Sequence, residues 1–429
     1  MTTATSSRRQ RNQRLREQAT APDLPVIRPT EYAQRRAALR ERAGNAVIVL
    51  AGNTEGERGE SRSGFFQDPN FSYFTGWLQP GAMLLLSPAS YPDAKSEVLL
   101  LPDSEPGRAL WCGPAADASQ PGLAKRLGIA GVARRCQLDG LLAGMLAECE
   151  RIACIPGSEV EGHLRSVFPF REIRPLSAEI ATLRMAKSPA EIARIREAVR
   201  ITAEGQLRGL RRLQTASNEF EVVADITHEF LRLGAERHSF APIVASGSNG
   251  CVLHYSRNRA PLRRGDLAVL DVGAERSGYA GDLTRTAPVG GRFSKRQREL
   301  YEAVLAVQKE VIRAVKPGAF LGRQIPGSLH QLAAKRLDEM GLGPKKQPLS
   351  QFFPHGIGHH LGMDVHDPSD TAAPLEPGMV ITIEPGVYIP EEGIGIRIED
   401  DILVTEGGAE VLSDSLPKEA ADLEALLSS

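Results

Sequence analysis

The chain has 429 residues, 41% hydrophobic and 24% charged, which is the make-up of an ordinary soluble globular protein with a large core in two or three domains. A formal net charge of −1 gives no field to gather nucleic acid or an anionic membrane, and no apolar run approaches the roughly 20 residues that span a bilayer, so neither is expected as a partner. Five cysteines, an odd number without a CxxC, argue against a disulfide framework and a thiolate zinc site, and fit a reducing, cytoplasmic setting.

Residues 1–25, with SSRRQRNQRLREQ, are basic and poor in large apolar side chains, and a disordered tail is expected. No apolar h-region of a secretory signal is present. A mitochondrial presequence would need an apolar helical face, and only Leu15 and a few alanines supply one. Residues 26–175 alternate helical and strand patterns. EYAQRRAALRERAG, ADASQPGLAKRLG and LLAGMLAECE read as helices; AVIVLAG, AMLLLSP and EVLLLP read as short buried strands. This predicts an α/β amino-terminal domain. FFQDPNFSYFTGW (65–77) reads as a packed loop.

A second unit, 176–429, contains a strong helix start: Ser188 as N-cap, Pro189 at the first helical position and Glu191 completing a capping box. A second helix is predicted over 219–233, then strands from Phe240 to Val289. Ser294 and Gln297 form another capping box, opening a helix that runs to Lys316. A fourth helix is predicted over 323–340, and the last ninety residues are strand-rich. The order helices, strands, helices, strands suggests two similar halves.

Two pairs of acids lie in these strand regions. LAVLDVGAERSGYAGDLTRTA reads as a hairpin. With its turn centred between Arg276 and Ser277, Asp271 pairs directly with Asp282, Cβ atoms about 4.5–5.5 Å apart. Asp271 sits in an apolar run, and two buried like charges at that distance conflict unless one is protonated or a dication binds. The plainer alternative is that one Asp faces solvent or caps the turn. In MVITIEPGVYIPEEGIGIRIEDDILVT, the turn lies midway between Glu384 and Glu399, and Arg397 shares a face with Glu399. On its own, Glu399-Asp400-Asp401 would read as a solvated acidic turn.

Four of the nine histidines fall in HGIGHHLGMDVHD (355–367), between the acidic pairs. Its glycines make a helix improbable, so this is not a helical HExxH zinc motif. His254, after a Gly-rich turn, is also placed to reach a pocket. Four carboxylates and one imidazole form an oxygen-rich set for two divalent ions, with Mn²⁺ favoured and Co²⁺ or Zn²⁺ compatible by ligand type. Such a pair polarises a carbonyl and activates water for hydrolysis.

The segment 355–367 and the two acidic hairpins resemble the pita-bread metallopeptidases, the group of Xaa-Pro aminopeptidases, prolidases and methionine aminopeptidases. FFQDPNFSYFTGW and ALWCGP are similar to the amino-terminal domain of aminopeptidase P. The resemblance implies an α/β amino-terminal domain followed by an α+β pita-bread catalytic domain. It implies that Asp282 and Glu399 bridge both metals, that Asp271 holds one, and that His359 and Glu384 hold the other. It makes Glu384 the general base and acid. His254 and His366 then bind the carbonyl oxygen or the tetrahedral intermediate, His355 lines the proline pocket, and Tyr388 and Arg397 either stand behind the metal ligands or bind substrate in the pocket. The expected activity is release of the first residue from peptides with proline second. Prolidase, acting on Xaa-Pro dipeptides, is the nearest alternative, and a non-catalytic peptide-binding module is the other class. A dimer or tetramer is implied by the same resemblance.

Overall fold

The structure, a computed structural model, describes residues 24–55, 65–91, 96–103 and 107–428; the basic tail expected over 1–25 lies almost wholly outside them. The chain divides into two compact units. One is Val26–Arg184 with Pro368–Asp370, and the other comprises Met185–Asp367 and the chain from Thr371 on. No described helix is long and apolar enough to cross a membrane. The four cysteines with described side chains are free.

The first unit is built on a mixed sheet of six strands: β1 (Ala46–Ala51), β2 (Met83–Leu86), β3 (Glu97–Leu101), β4 (Gly131–Arg134), β5 (Arg151–Cys154) and β6 (Glu172–Pro175). Their order is β4-β3-β2-β1-β5-β6. The runs AVIVLA, MLLL and EVLLL are buried along nearly their whole length, as strands covered on both faces require. Helix α1 (Pro29–Ala43) turns arginines inward. Arg36, 1% exposed, donates to the carbonyls of Phe74 and Gly128 and pairs with Glu97, so its guanidinium closes chain ends that no backbone N–H reaches.

Expectations about helices and about the end of this unit are corrected here. The stretch 65–77 contains a helix, α2 (Pro69–Thr75). Asp68 accepts from Phe71 N, Pro69 occupies the first turn and Gly76 closes the end in the left-handed region. Those end signals outweigh its aromatic, turn-rich composition. In 116–128 only α3 (Leu123–Leu127) is helical, because Gly122 and Gly128, both at positive φ, bound it. Helix α4 (Leu138–Met145) overlaps the first half of the helix expected over 141–150 and starts three residues earlier. The unit ends later than 175, since helix α5 (Ser177–Met185) packs with it: Tyr73 donates to Leu183 O and Arg184 to Asn70 Oδ1.

The second unit opens with α6 (Pro189–Arg212), whose Ser188–Glu191 capping box forms as read, and α7 (Glu219–Arg232). Strands β7 (Arg237–His238) and β8 (Ile243–Ser246) follow, then an irregular stretch over 247–266 where strand was expected. A long hairpin comes next. It is cut into two ladders, β9 (Leu267–Val272) with β12 (Leu283–Pro288), and β10 (Ala274–Arg276) with β11 (Tyr279–Ala280). Helix α8 (Lys295–Ala314) starts at the Ser294–Gln297 capping box. Helix α9 (Leu329–Glu339) begins at the Ser328 N-cap rather than at 323, because Pro326 and Gly327 stop the helix from extending backward. A second long hairpin closes the unit, again cut in two: β13 (Val380–Ile383) with β16 (Asp400–Thr405), and β14 (Gly386–Ile389) with β15 (Ile394–Arg397). A short β17 (Gly408–Val411) borders β16. The two halves therefore share one plan: two helices, then a hairpin interrupted midway.

The registers decide where the acids point. In the second hairpin Ile383 pairs with Asp400 and Gly386 with Arg397, so Glu384 lies opposite Glu399, as expected. In the first, Asp271 pairs with Thr284 and not with Asp282. The turn residues are Ser277 and Gly278, both at positive φ, and Arg276 pairs with Tyr279. That is a two-residue turn of the type that matches strand twist. It moves the register by two residues. Because side chains alternate with period two, Asp282 still shares the face of Asp271, as a diagonal neighbour. Gly273 permits the kink: a Cβ there would lie 2.1 Å from Gly281 O.

Helices α6 and α7 cross in close contact through Gly205 and Gly209. A Cβ on Gly205 would lie 2.2 Å from Cε1 of Phe230, itself 1% exposed. Replacing a mid-helix Gly by Ala gains at most about 1 kcal/mol of helix propensity. Overpacking a rigid aromatic costs about 1–3 kcal/mol. Gly205→Ala is therefore expected to lower stability, read as a lower midpoint in urea unfolding.

Candidate metal centre and cavity

The two hairpins meet at their interruptions. Thr284 forms an isolated bridge with Glu399, and Glu399 N donates to Thr284 O at 3.1 Å. Asp271 is the last residue but one of β9 and Asp282 precedes β12; Glu384 and Glu399 sit in the gaps of the other hairpin. A cut ladder leaves backbone free to turn, so side chains from four strand ends converge. They open on a cavity of about 680 Å³.

Asp271, Asp282, Glu384, Glu399, His359, His254, His355, His366 and Arg397 all line this cavity. Tyr388 does not. It stands behind His355 and Arg397, its hydroxyl donating to His355 Nε2 (2.8 Å) and accepting from Arg397 Nη1 (2.7 Å). His355 Nδ1 in turn donates to Gly356 O, so both ring nitrogens are engaged within the protein. Burial, then Arg397, pushes this ring down to about 4.

The loop 355–367 is laid along the second hairpin by backbone bonds. Glu384 N donates to Ile357 O, Thr382 N to His359 O and Leu361 N to Val380 O. His359 is thus held over the acids. Its Nδ1 donates to His360 O at 3.1 Å, which directs the Nε2 lone pair at Asp282 Oδ2 (3.5 Å) and Glu384 Oε1 (3.7 Å). A lone pair facing carboxylates needs a proton or a cation between them. Ligand atoms of Asp282, His359 and Glu399 all lie within 4.8 Å of one another.

The electrostatics carry the same demand. Burial, against the pull of Arg397 and with the push of Asp282, raises the Asp271 carboxyl to about 6. Burial raises Glu384 to about 7, against His359 and Arg397. Glu399 is driven well above the carboxylate range, by burial and then by Asp282 and Glu384. Burial alone would lower His359, yet Asp282 and Glu384 push it up to about 9. Oδ1 of Asp271 and Oδ1 of Asp282 are buried without hydrogen-bond partners. Unpartnered carboxylate oxygens in a dry site are costly, and a divalent ion satisfies them. The donor set fits hard or borderline divalent metals.

Residues that sequence reasoning passed over support these. Thr284 donates to Glu399 Oε2 (2.6 Å) and accepts from Arg397 Nε, and Arg397 Nη2 donates to Asp271 Oδ2. Asp401 Oδ2 accepts from Asp282 N. The Ser277–Gly278 turn was the signal that would have placed Thr284. Phe240, Ala241, Ile243, Leu253 and Val365 form an apolar wall, and all but Ile243 lie outside strands and helices, where no periodicity marks them.

Comparison with known proteins gives the family. Residues 193–406 match Metallopeptidase family M24, and residues 32–153 match the Aminopeptidase P, N-terminal domain. The Xaa-Pro aminopeptidase of Haemophilus influenzae is 35% identical over 415 residues, covering 89% of this chain and 93% of that protein. The chain belongs to the Xaa-Pro aminopeptidase family of M24 metallopeptidases. A mitochondrial relative from Arabidopsis thaliana, intermediate cleaving peptidase 55, is 36% identical over 420 residues, covering 94% of this chain and 84% of that one. The solved structure of Escherichia coli aminopeptidase P with the inhibitor Pro-Leu superposes with a TM-score of 0.84 at 31% identity, covering 94% and 99% of the two chains. The chain is accordingly an enzyme with an α/β amino-terminal domain and an α+β pita-bread unit, and membership of this family implies divalent metal.

Behind the centre, Arg285 and Asp400 are wholly buried, 2.7 Å apart. Arg285 also donates to Glu399 O, Thr284 O, Leu416 O and Pro417 O, while Lys418 and Ser413 donate to Asp400. Burial works against Asp400, but Arg285 and Lys418 hold it well below the usual carboxylate range. Breaking such a pair costs about 3–5 kcal/mol, against 0–1 for an exposed one. Arg285→Met is expected to reduce unfolding free energy by about 3 kcal/mol. Arg196→Ala, which breaks a surface pair with Glu410, should cost under about 1. Equal losses in denaturant titrations would refute the ranking.

Proposed function

We propose that the enzyme releases the N-terminal residue from peptides with proline in second position, using two divalent ions, with Mn²⁺ favoured by the oxygen-rich donor set. Asp282 and Glu399 would bridge the ions, Asp271 would hold one, and His359 with Glu384 the other. When bound, the ions supply Lewis acidity that polarises the scissile carbonyl and lowers the pKa of water. Glu384, at the cavity edge of this group, takes the proton of the attacking water and delivers it to the proline nitrogen as the peptide bond breaks. His254 and His366 donate to the oxygen on which charge develops. The His366 ring lies 4.2 Å from that of His359, centroid to centroid, which supports this placement.

His355, with both nitrogens engaged, has only ring surface to offer, and that suits a pyrrolidine, which has no N–H. Tyr388 acts through His355 on this reading and does not touch substrate.

The observation that favours an aminopeptidase over a prolidase is the state of Arg397. Among the described residues it is the one Lys or Arg that lines the cavity, and its guanidinium is committed to Asp271, Tyr388 and Thr284. No described lining residue of that kind is left to neutralise the free carboxylate of an Xaa-Pro dipeptide, which favours a continuing peptide at the far end.

Purified protein is expected to bind about two divalent ions per chain in a metal titration. Chelation should abolish peptide hydrolysis and Mn²⁺ should restore it; full activity of the metal-free chain would sink the metal assignment. Substrate class is tested by product analysis on matched peptides. Xaa-Pro-Xaa tripeptides should be cut at the first bond, and Xaa-Pro dipeptides poorly. Hydrolysis of dipeptides alone would make the enzyme a prolidase.

A further inference from the structure

The segment 247–260 carries three cavity residues, Leu253, His254 and Ser256. Beyond the turn Gly247–Cys251 it has no regular secondary structure, and His254 itself is exposed. Something other than a strand or helix must fix where that imidazole stands.

One buried side chain gathers the segment. Glu219, the first residue of α7, is 0% exposed. Its Oε1 accepts from Ser246 N (2.9 Å), Ser246 Oγ (2.8 Å) and Asn249 Nδ2 (3.3 Å). Its Oε2 accepts from the Tyr255 hydroxyl (2.8 Å) and from Ala260 N (2.8 Å). The donors come from the start, the middle and the end of the segment, and Tyr255 is the neighbour of His254. Glu219 N also donates to Ala260 O. A second clip, Asn258, at positive φ, accepts from Val244 N and donates to Pro242 O, fixing the loop to β8. Only a carboxylate suits the first clip. All five partners are donors, and an amide would turn an NH₂ group against some of them. The helix N-terminus adds a favourable potential for the charge.

We propose that Glu219 is a positioning residue that sets the place of His254 in the cavity. The proposal rests on the role given to His254 above. Hydrogen bonds to a buried charged acceptor are the strong kind, so losing the clip lets the loop, and the ring on it, drift. Misplacing a group near the reacting atoms by about 1 Å costs up to about 10²-fold in rate.

The test is a double-mutant cycle on the metal-loaded enzyme with a tripeptide carrying proline second. Glu219→Gln is expected to lower kcat by about 10–10²-fold, with KM and metal content nearly unchanged. In the His254→Ala background the same substitution should change kcat by less than about twofold, because its effect runs through a ring no longer present. Equal losses in both backgrounds would show a general structural role and overturn the proposal. Tyr255→Phe removes one donor and keeps the ring. It should give the same pattern in smaller measure, and it serves if Glu219→Gln does not fold; equal losses from it in both backgrounds overturn the proposal likewise. The His254→Ala arm reports separately on the underlying reading: unchanged kcat there removes the role of His254, and this proposal with it.

Discussion

Four carboxylates brought together at one buried place are the constraint on which the catalytic unit turns. Asp271, Asp282 and Glu399 are each at most 8% exposed, and Glu384 lies beside them. Left to itself the group repels, and burial drives three of these acids toward their protonated forms. A fold organised only for stability would place apolar side chains there. The unit holds the conflict instead, by anchoring three of the acids from behind. Thr284 donates to Glu399, Arg397 to Asp271, and the Asp282 amide is tied to Asp401. Each of these bonds is made within the protein, so the carboxylates keep their places through neighbouring groups and not through one another.

The run Glu399-Asp400-Asp401 shows how position assigns different work to similar side chains. Asp400 points away from the cavity, where Arg285, Lys418 and Ser413 keep it charged. Gln308, from α8, donates to it as well and to Ile398 O and Ile383 O, so the helix reads both strands of the hairpin at its interruption. Asp401 faces the opposite way, against Asp282, and burial, then the Asp282 charge, lifts it well above the usual range despite the amide of Asp282 and the His359 ring. One acid of the three is a structural anion, one a brace and one a cavity group. Strand alternation accounts for the change of side between neighbours.

Much of the fold was legible because its signals are local. Capping boxes at Ser188 and Ser294 and the buried runs of the first sheet need only a few adjacent residues. The second hairpin register was legible for the same reason. The first was displaced by two, since the turn was centred on Arg276 and Ser277 when the Ser-Gly pair that accepts positive φ is the true turn. The shift was even, so Asp271 and Asp282 stayed on one face and the convergence survived. An odd shift would have sent Asp282 to the other side. What pattern alone left hidden is what depends on long-range packing. Tyr388 lies on a strand beside the cavity, yet the His355 ring, set edge-on in front of it and bonded to its hydroxyl, keeps it out of the lining. The apolar wall of Phe240, Leu253 and Val365 comes from irregular chain, where neither period two nor period 3.6 applies.

The two kinds of functional side chain are carried differently, and chemistry gives the reason. The acids stand at strand ends within a continuous buried core, where small displacements are resisted by packing. His254 and His366 are exposed and ride on irregular segments. On the proposed reading, metal ligands must not move between turnovers, since a lost ligand leaves an uncompensated charge in the core. Groups that meet a peptide must instead admit it and release it, and chain outside regular ladders can yield without breaking one. Such chain needs its own restraint if the imidazole is to return to one place. A buried carboxylate collecting donors from a single loop supplies that restraint, because its hydrogen bonds hold the loop's path while leaving the ring itself uncovered.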